Sequence, residues 1–510
     1  MTDAAWALFD NDDGDGDDAD SFSGVSGVSA ASRHNSIPLP WPSGVPLWLW
    51  PSISSSARGC RSSSSQDATS VRLLLMEEAE DVLPAACAWL ESDGLGDVAR
   101  AVHASVVRFG ENGDNDDDDD DDGDINADEC ASSDALSALA RGGNEQGTSA
   151  AGQHWQLAVA FPALFAAHRL VVRGKGNDAE RALQLADRCE VLGTSLRAHR
   201  AVVALAESAL PDESDTGADD NDMFPERLPV TDPTADEHPR LDRIPEQSDA
   251  MSVAAFHNRT QTSDRPFVLR GATFAKAEAS TAPLVNLTRL RGGAIGARVV
   301  PVELGQKEGE QGGSTTMTLR ELVDNYLVPS IHADSAVVNS PENGATRPPD
   351  VPPDSHRVAY LAQHALFAQC PLLARGLEAP PYVGVHLVKS VNAWIGTRHT
   401  VTALHSDADD NLLVQLRGFK YVVLFAPHEA PNLYAGVHPR AASAGDDGAG
   451  VGMFSPVRVE KYDADVHANF AQARGQHAVL GPGDALYIPR GWFHYVRSMS
   501  TSISLNYWWM

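Results

Sequence analysis

Three residues, His405, Asp407 and His494, have the types and placement to hold a metal ion. Two histidines and one carboxylate occupy one face of a non-haem Fe(II) and leave coordination positions open on the other, so this set points to O2 activation. His405 and Asp407 stand two apart in Thr402-Ala-Leu-His-Ser-Asp407, and side chains at i and i+2 of a strand share a face. Both can then reach one ion. His494 follows 89 positions later, in Leu486-Tyr-Ile-Pro-Arg-Gly-Trp-Phe-His494, where an apolar strand enters a Pro-Arg-Gly turn and leaves into another strand. A third ligand from a distant strand is what a β-barrel supplies.

His-x-Asp by itself is a weak signal in a chain with 18 histidines, so its surroundings must carry the argument. The run Asn411-Leu-Leu-Val-Gln-Leu-Arg-Gly-Phe-Lys420-Tyr-Val-Val-Leu-Phe425 predicts two apolar strands in a hairpin that turns at Arg417-Gly418. Lys420 is a cation inside the second of them. Either it points to solvent from a half-buried strand, or it is a fixed cation for the distal carboxylate of a dicarboxylate near the metal. His364, His386, His399, His428 and His438 have no second ligand at metal spacing and read as ordinary histidines.

Around these residues the C-terminal half resembles the JmjC branch of the Fe(II)- and 2-oxoglutarate-dependent oxygenases. Within that branch it is most similar to the arginyl-hydroxylase group, also called the lysine demethylase eight group. The blocks that carry the resemblance occur in the group's order: Arg265-Pro-Phe-Val-Leu-Arg-Gly271, Val300-Pro-Val-Glu-Leu-Gly305, Met317-Thr-Leu-Arg-Glu-Leu, Tyr360-Leu-Ala-Gln-His364, Val391-Asn-Ala-Trp394 and Asn506-Tyr-Trp-Trp509. They span roughly residues 225 to 510. The fold the resemblance implies is α+β: a cupin-type double-stranded β-helix, or jelly roll, preceded by an α-helical domain and a disordered acidic leader.

Carried over residue by residue, the resemblance implies that His405, Asp407 and His494 are the iron ligands and that Lys420 takes the C5 carboxylate of 2-oxoglutarate. Thr402, where the group has serine, and Tyr360 would complete that anchor. Asn411 would lie beside the metal-binding end of the co-substrate, and Asn506 would face the same cavity. Glu303 and Trp394 fall at substrate-pocket positions, where an acid and an aromatic face suit a guanidinium through ion pairing and cation–π stacking. The Trp508-Trp509 pair reads as packing at the end of the barrel.

The implied cofactors are Fe(II), with 2-oxoglutarate and O2 as co-substrates and succinate and CO2 as co-products. The expected activity is hydroxylation of a protein side chain, arginine first, because the block matches are to that group and no chromatin-reader or zinc-binding cluster is visible. Demethylation of methyl-lysine or methyl-arginine in histones is the alternative from the same triad. Two readings of another class are a different metal enzyme on the same barrel, which the acid anchor of Lys420 and Tyr360 speaks against, and a non-catalytic cupin interaction scaffold, which an intact triad disfavours.

Some segments depart from the group. Gln306 to Ser314 is polar and glycine-rich where aromatic residues are expected, which alters that wall of the pocket. Ala333 to Arg357 and Ala435 to Gly452 read as inserted surface loops.

The rest of the chain divides by composition. Residues 1–70, with Asp/Gly repeats and Ser/Pro/Trp stretches, read as a disordered leader, and 71–210 as a helical domain with an acidic loop near 111–150 that includes the run Asp116 to Asp122. An acidic linker over 211–226 precedes the catalytic domain, 227–510. A net charge of -31 argues against direct nucleic-acid binding and for a basic, arginine-bearing protein or peptide partner, such as a histone tail or a ribosomal protein. The five cysteines are scattered without a Cys-x-x-Cys, so reduced thiols and a nuclear or cytoplasmic location are expected. No signal peptide or membrane-spanning run is expected.

Overall fold

The structure is a computed structural model that describes residues 67–92, 95–111, 121–141, 150–191, 196–210, 224, 241–248, 251–278, 282–305, 313–338, 358–384, 387–437 and 453–510. The expected leader (up to residue 66) and the expected linker, Phe224 excepted, lie outside the described residues, as do His386, His438 and the stretch 306–312.

Six helices make the N-terminal layer: α1 (Ala68–Ser92), α2 (Gly96–Glu111), α3 (Asp121–Arg141), α4 (Ala150–Arg173), α5 (Asp178–Val191) and α6 (Arg197–Ser208). Their Ala and Leu residues recur at helical spacing and bury one shared core. α4 is apolar all round from Ala158 to Ala167 and is buried over that length, so it sits at the centre with the other helices against it. Among the described residues no helix is long and apolar enough to cross a membrane.

One expectation is corrected here. The segment 111–150, read as an acidic loop, contains the helix α3, and Asp121 and Asp122 belong to its first turn. Ile125 and Ala131 are buried in the helical layer. The acids of α3 meet arginines from its neighbours: Asp128 lies 2.6 Å from Arg108 of α2, Asp124 3.3 Å from Arg169 of α4, and Glu129 2.7 Å from Arg181 of α5. Charges that repel along an isolated segment are thus neutralised across helices.

The C-terminal region is a pair of facing sheets. Strands β1 (Leu241–Arg243), β2 (Glu246–Ser248), β3 (Phe267–Arg270), β4 (Val299–Leu304), β5 (Gly313–Thr318), β6 (Ala359–His364), β7 (Val388–Gly396) and β8 (Val401–Ser406) come first. Then follow β9 (Asp410–Arg417), β10 (Lys420–Phe425), β11 (Gly436–Val437), β12 (Met453–Phe454), β13 (Gly475–Leu480), β14 (Asp484–Ile488), β15 (Phe493–Ser498) and β16 (Ser502–Trp509). A seven-stranded sheet has the order β1-β13-β10-β15-β8-β12-β11, and a nine-stranded sheet the order β2-β3-β14-β9-β16-β7-β6-β4-β5. This is the cupin-type barrel in an α+β chain.

Period-two patterning decides which residues face the space between the sheets. On β10, Val422 and Leu424 pack between the sheets with Leu413, Leu486 and Val496, whereas Tyr421, Val423 and Phe425 face the opposite way into a second cluster. Lys420 shares the inward parity of Val422 and Leu424. On the nine-stranded sheet, Leu412, Val414, Leu505 and Tyr507 turn outward into the core shared with the overlying helical segments.

β9 and β10 do not form the expected hairpin. β9 pairs with β14 and β16, while β10 pairs with β13 and β15, so the chain crosses from one sheet to the other at Gly418. Both strands are apolar on both faces, and only a layered arrangement covers all four. Gly418 has φ +69°, and a Cβ there would lie 2.0 Å from the Thr501 carbonyl oxygen. Of the expected loop Ala333 to Arg357, residues up to Val338 continue a helix, Val328–Val338, anchored where Asp334 accepts the Thr501 N–H at 3.0 Å. Its remainder, 339–357, lies outside the described residues, as does 438–452 of the second inserted loop.

Candidate metal centre

His405 is the penultimate residue of β8, Asp407 follows that strand's end, and His494 is the second residue of β15. The two histidines are direct cross-strand partners. Their Nδ1 atoms donate to their own strands, His405 to the Ala403 carbonyl at 2.8 Å and His494 to the Trp492 carbonyl at 3.2 Å. That fixes the tautomer, with the Nε2 lone pairs free. Both Nε2 atoms face one carboxylate: His405 lies 3.6 Å from Asp407 Oδ1 and His494 3.5 Å from Asp407 Oδ2.

One ligand atom from each residue falls within 4.8 Å of the others. Burial, and then the neighbouring His405, hold the His494 ring down at about 4, so it is neutral and able to ligate. Asp407 Oδ2 is buried without a hydrogen-bond partner. A buried, unsatisfied carboxylate oxygen between two imidazole lone pairs fits a divalent ion of the Fe(II) type, which takes nitrogen and oxygen donors on one face.

The triad opens into a cavity between the sheets. All the candidate site residues except Glu303 line it: Thr402 and Lys420 from the seven-stranded sheet with the histidines, and Tyr360, Trp394, Asn411 and Asn506 from the nine-stranded sheet.

Lys420 is 2 % exposed and has no hydrogen-bond or ion-pair partner among the described residues. Its ammonium lies 5.6 Å from the Tyr360 ring and 6.0 Å from that of Trp394, and burial pushes its pKa down to about 7. The solvent-facing alternative for Lys420 is therefore set aside. The Tyr360 hydroxyl lies 3.3 Å from Thr402 Oγ1, and burial raises the phenol's pKa, so it stays protonated as a donor. Trp394 donates its indole N–H to Asn506 Oδ1 at 3.1 Å, which fixes the ring on the cavity wall.

Glu303 stands behind this wall. It is the cross-strand partner of Tyr360 across β4 and β6, and burial pushes its carboxyl up to about 7. No partner among the described residues compensates it, so a bound cation would hold it charged.

Three features escaped the sequence reading. Thr402 and His405 are three apart yet line one cavity, because β8 has one extra residue between them: His494 pairs with His405 and Val496 with Thr402. Trp508, read as packing, lines the cavity beside its cross-strand partner Asn411, and its indole N–H is buried without a partner. Period two from Asn506 would have placed it there; Trp509, on the opposite face, does pack in the core. Gly396 is the third: a Cβ there would lie 2.7 Å from Tyr360 Cδ2, so the absence of a side chain lets the Tyr360 ring lie against β7.

Comparison with known proteins agrees with this geometry. The family described as the cupin-like domain matches residues 253–510. The chain is 33 % identical over 211 residues to JmjC domain-containing protein F of Dictyostelium discoideum, covering 38 % of this chain and 41 % of that protein. It is 31 % identical over 219 residues to Lysine-specific demethylase 8 of Xenopus tropicalis, covering 42 % of each. The protein of the same name in Danio rerio is 32 % identical over 219 residues, 42 % of this chain and 46 % of that one. The matches thus span under half the length of these relatives.

Proposed function

The chain belongs to the cupin-like domain family, in its JmjC branch, and from that premise we propose that it is an Fe(II)- and 2-oxoglutarate-dependent dioxygenase that hydroxylates arginine side chains of a basic protein substrate. The observation that carries the reading is Lys420: a buried ammonium with no acidic partner among the described residues, lining the same cavity as a His-Asp-His metal set. A structural lysine would not be left so, whereas a dicarboxylate that chelates a metal at one end supplies the missing anion at its other end.

When bound, Fe(II) and 2-oxoglutarate supply the O2-activating chemistry that inserts one oxygen atom into a C–H bond, with succinate and CO2 as co-products. The protein's residues do the positioning. His405, Asp407 and His494 would hold the metal beside the cavity. Lys420 pairs with the distal carboxylate, with the Tyr360 and Thr402 hydroxyls beside it as further donors. Asn411 and Asn506 offer amide groups on the opposite wall. Trp394 presents an aromatic face to the cavity, and Glu303 behind that wall adds negative charge, a combination that suits a guanidinium.

A second reading, demethylation of methyl-lysine, is favoured by the names of two of the relatives. Purified protein incubated with Fe(II), 2-oxoglutarate, O2 and a panel of arginine, lysine and methylated peptides separates the two by mass spectrometry. A gain of one oxygen on arginine, absent with His405→Ala, is the expected result. Loss of a methyl group with formaldehyde would replace it by the demethylase reading, and no peptide change without succinate would overturn both.

A further inference from the structure

Among the described residues outside the cavity the most completely buried cation is Arg298, which immediately precedes β4 and has a side chain 0 % exposed. It is gripped from the helical layer. Its Nε and one terminal nitrogen donate to both oxygens of Asp187 on α5, at 2.7 to 3.1 Å, and the other terminal nitrogen donates to Glu207 on α6 at 2.7 Å. Asp187 also accepts the backbone N–H of Val299, the first residue of β4, at 2.8 Å.

The grip extends to a second strand. Arg298 donates to the Gln369 carbonyl at 2.7 Å, the Gln369 amide donates to the Val299 carbonyl at 2.7 Å, and the Gln369 side-chain oxygen lies 2.7 Å from His364 Nε2 at the end of β6. Ala297 belongs to the hydrophobic core of the helices, and Arg320 pairs with Glu180 of α5 at 3.2 Å. The helical layer therefore holds the starting end of β4 and the finishing end of β6. At the other ends of these two antiparallel strands stand Glu303 and Tyr360, cross-strand partners, about 13 Å away along β4 at the usual strand rise.

We propose that Arg298 and its helical partners Asp187 and Glu207 form a positioning clasp, through which the helical layer sets the placement of β4 and β6 and so of the substrate side of the cavity. The metal-holding strands β8 and β15 carry no member of the clasp. Burying a charged fork of this kind is worth its desolvation cost where it fixes one arrangement of two elements, and a guanidinium held by two carboxylates and a carbonyl has one arrangement. The clasp acts on the binding of the substrate side chain, and its kinetic consequence rests on the oxygenase reading given above.

Arg298→Lys, which keeps the charge and loses the fork, and Glu207→Gln, a milder change at a partner 27 % exposed, test it in the full chain. In hydrogen exchange read by mass spectrometry, amides of 299–304 and 359–364 exchange about tenfold faster or more in the variants, while those of 401–406 and 493–498 keep their wild-type rates. In kinetics, KM for an arginine peptide rises about tenfold and KM for 2-oxoglutarate a few-fold through Tyr360, while peptide-independent succinate formation at saturating 2-oxoglutarate stays within about twofold. Uniform acceleration over all four segments, or none in either variant, overturns the clasp. Wild-type protein that forms no succinate overturns the oxygenase reading alone, because the exchange comparison needs no turnover.

Discussion

The two sheets contribute differently to one cavity. The seven-stranded sheet brings His405, Thr402, Lys420 and His494 from β8, β10 and β15, and the nine-stranded sheet brings Tyr360, Trp394, Asn411, Asn506 and Trp508. The first set joins the buried lysine to the two histidines of the candidate metal centre, whose rings are fixed by nearby backbone carbonyls. The second is amide and aromatic, on a sheet whose far edge is tied to the helices through Arg298. The candidate metal set and the buried lysine thus come from one sheet and most of the aromatic wall from the other, and substitutions on the two sides should fail in different ways.

The largest effects belong to the metal side. His405→Ala and Asp407→Ala are expected to abolish Fe(II) binding and bring succinate formation to background, measured by metal content and by product. Lys420→Met should keep the metal and raise KM for 2-oxoglutarate on the order of 10²- to 10³-fold, the usual cost of removing one partner of a buried charge pair.

Lys420 also predicts a pH dependence. Its free ammonium titrates at about 7, and the carboxylate binds the protonated form. Above that pH each binding event must take up a proton, so the dissociation constant of 2-oxoglutarate rises by about tenfold per pH unit by calorimetry, and Lys420→Arg flattens the slope. Without ligand, the unfolded chain holds this proton to about pH 10.4, so the folded-state depression costs stability below 7 and is relieved as pH rises between the two values.

Effects on the selecting side are smaller. Glu303→Gln should raise KM for an arginine peptide about 10- to 100-fold, the worth of a charge-assisted hydrogen bond, and leave KM for 2-oxoglutarate nearly unchanged. Gly396→Ala forces a methyl group against the Tyr360 ring and Thr400, and should cost about 1–3 kcal/mol of stability in denaturant melts with a few-fold rise in KM for 2-oxoglutarate.

Much of the metal side was legible in the sequence because it depends on residue type and local parity. A His-x-Asp at a strand end, a histidine after a Pro-Arg-Gly turn and a lysine in an apolar strand are all readable from neighbours a few positions away. The extra residue in β8 was not, since it shows only in the pairing with β15. Nor was the crossing at Gly418, because two apolar strands joined by a glycine turn look alike whether they pair or stack. The helix α3 was missed within the expected acidic loop for the same reason: Arg108, Arg169 and Arg181, which pair with Asp128, Asp124 and Glu129, come from three other helices. Trp508 needed only the alternation of β16 to be placed in the cavity, and the aromatic pair with Trp509 obscured it. The Arg298 clasp joins residues 91 and 111 positions apart and leaves no local pattern.

The most direct test of the divided cavity is the ratio of hydroxylated arginine to succinate in wild type, Glu303→Gln and Lys420→Met, with one peptide and saturating Fe(II). Wild type should give a ratio near one, Glu303→Gln should continue to form succinate with little hydroxyarginine, and Lys420→Met should lose both. Equal loss of both products in Glu303→Gln, or hydroxyarginine formed without succinate in any of the three, would contradict the account.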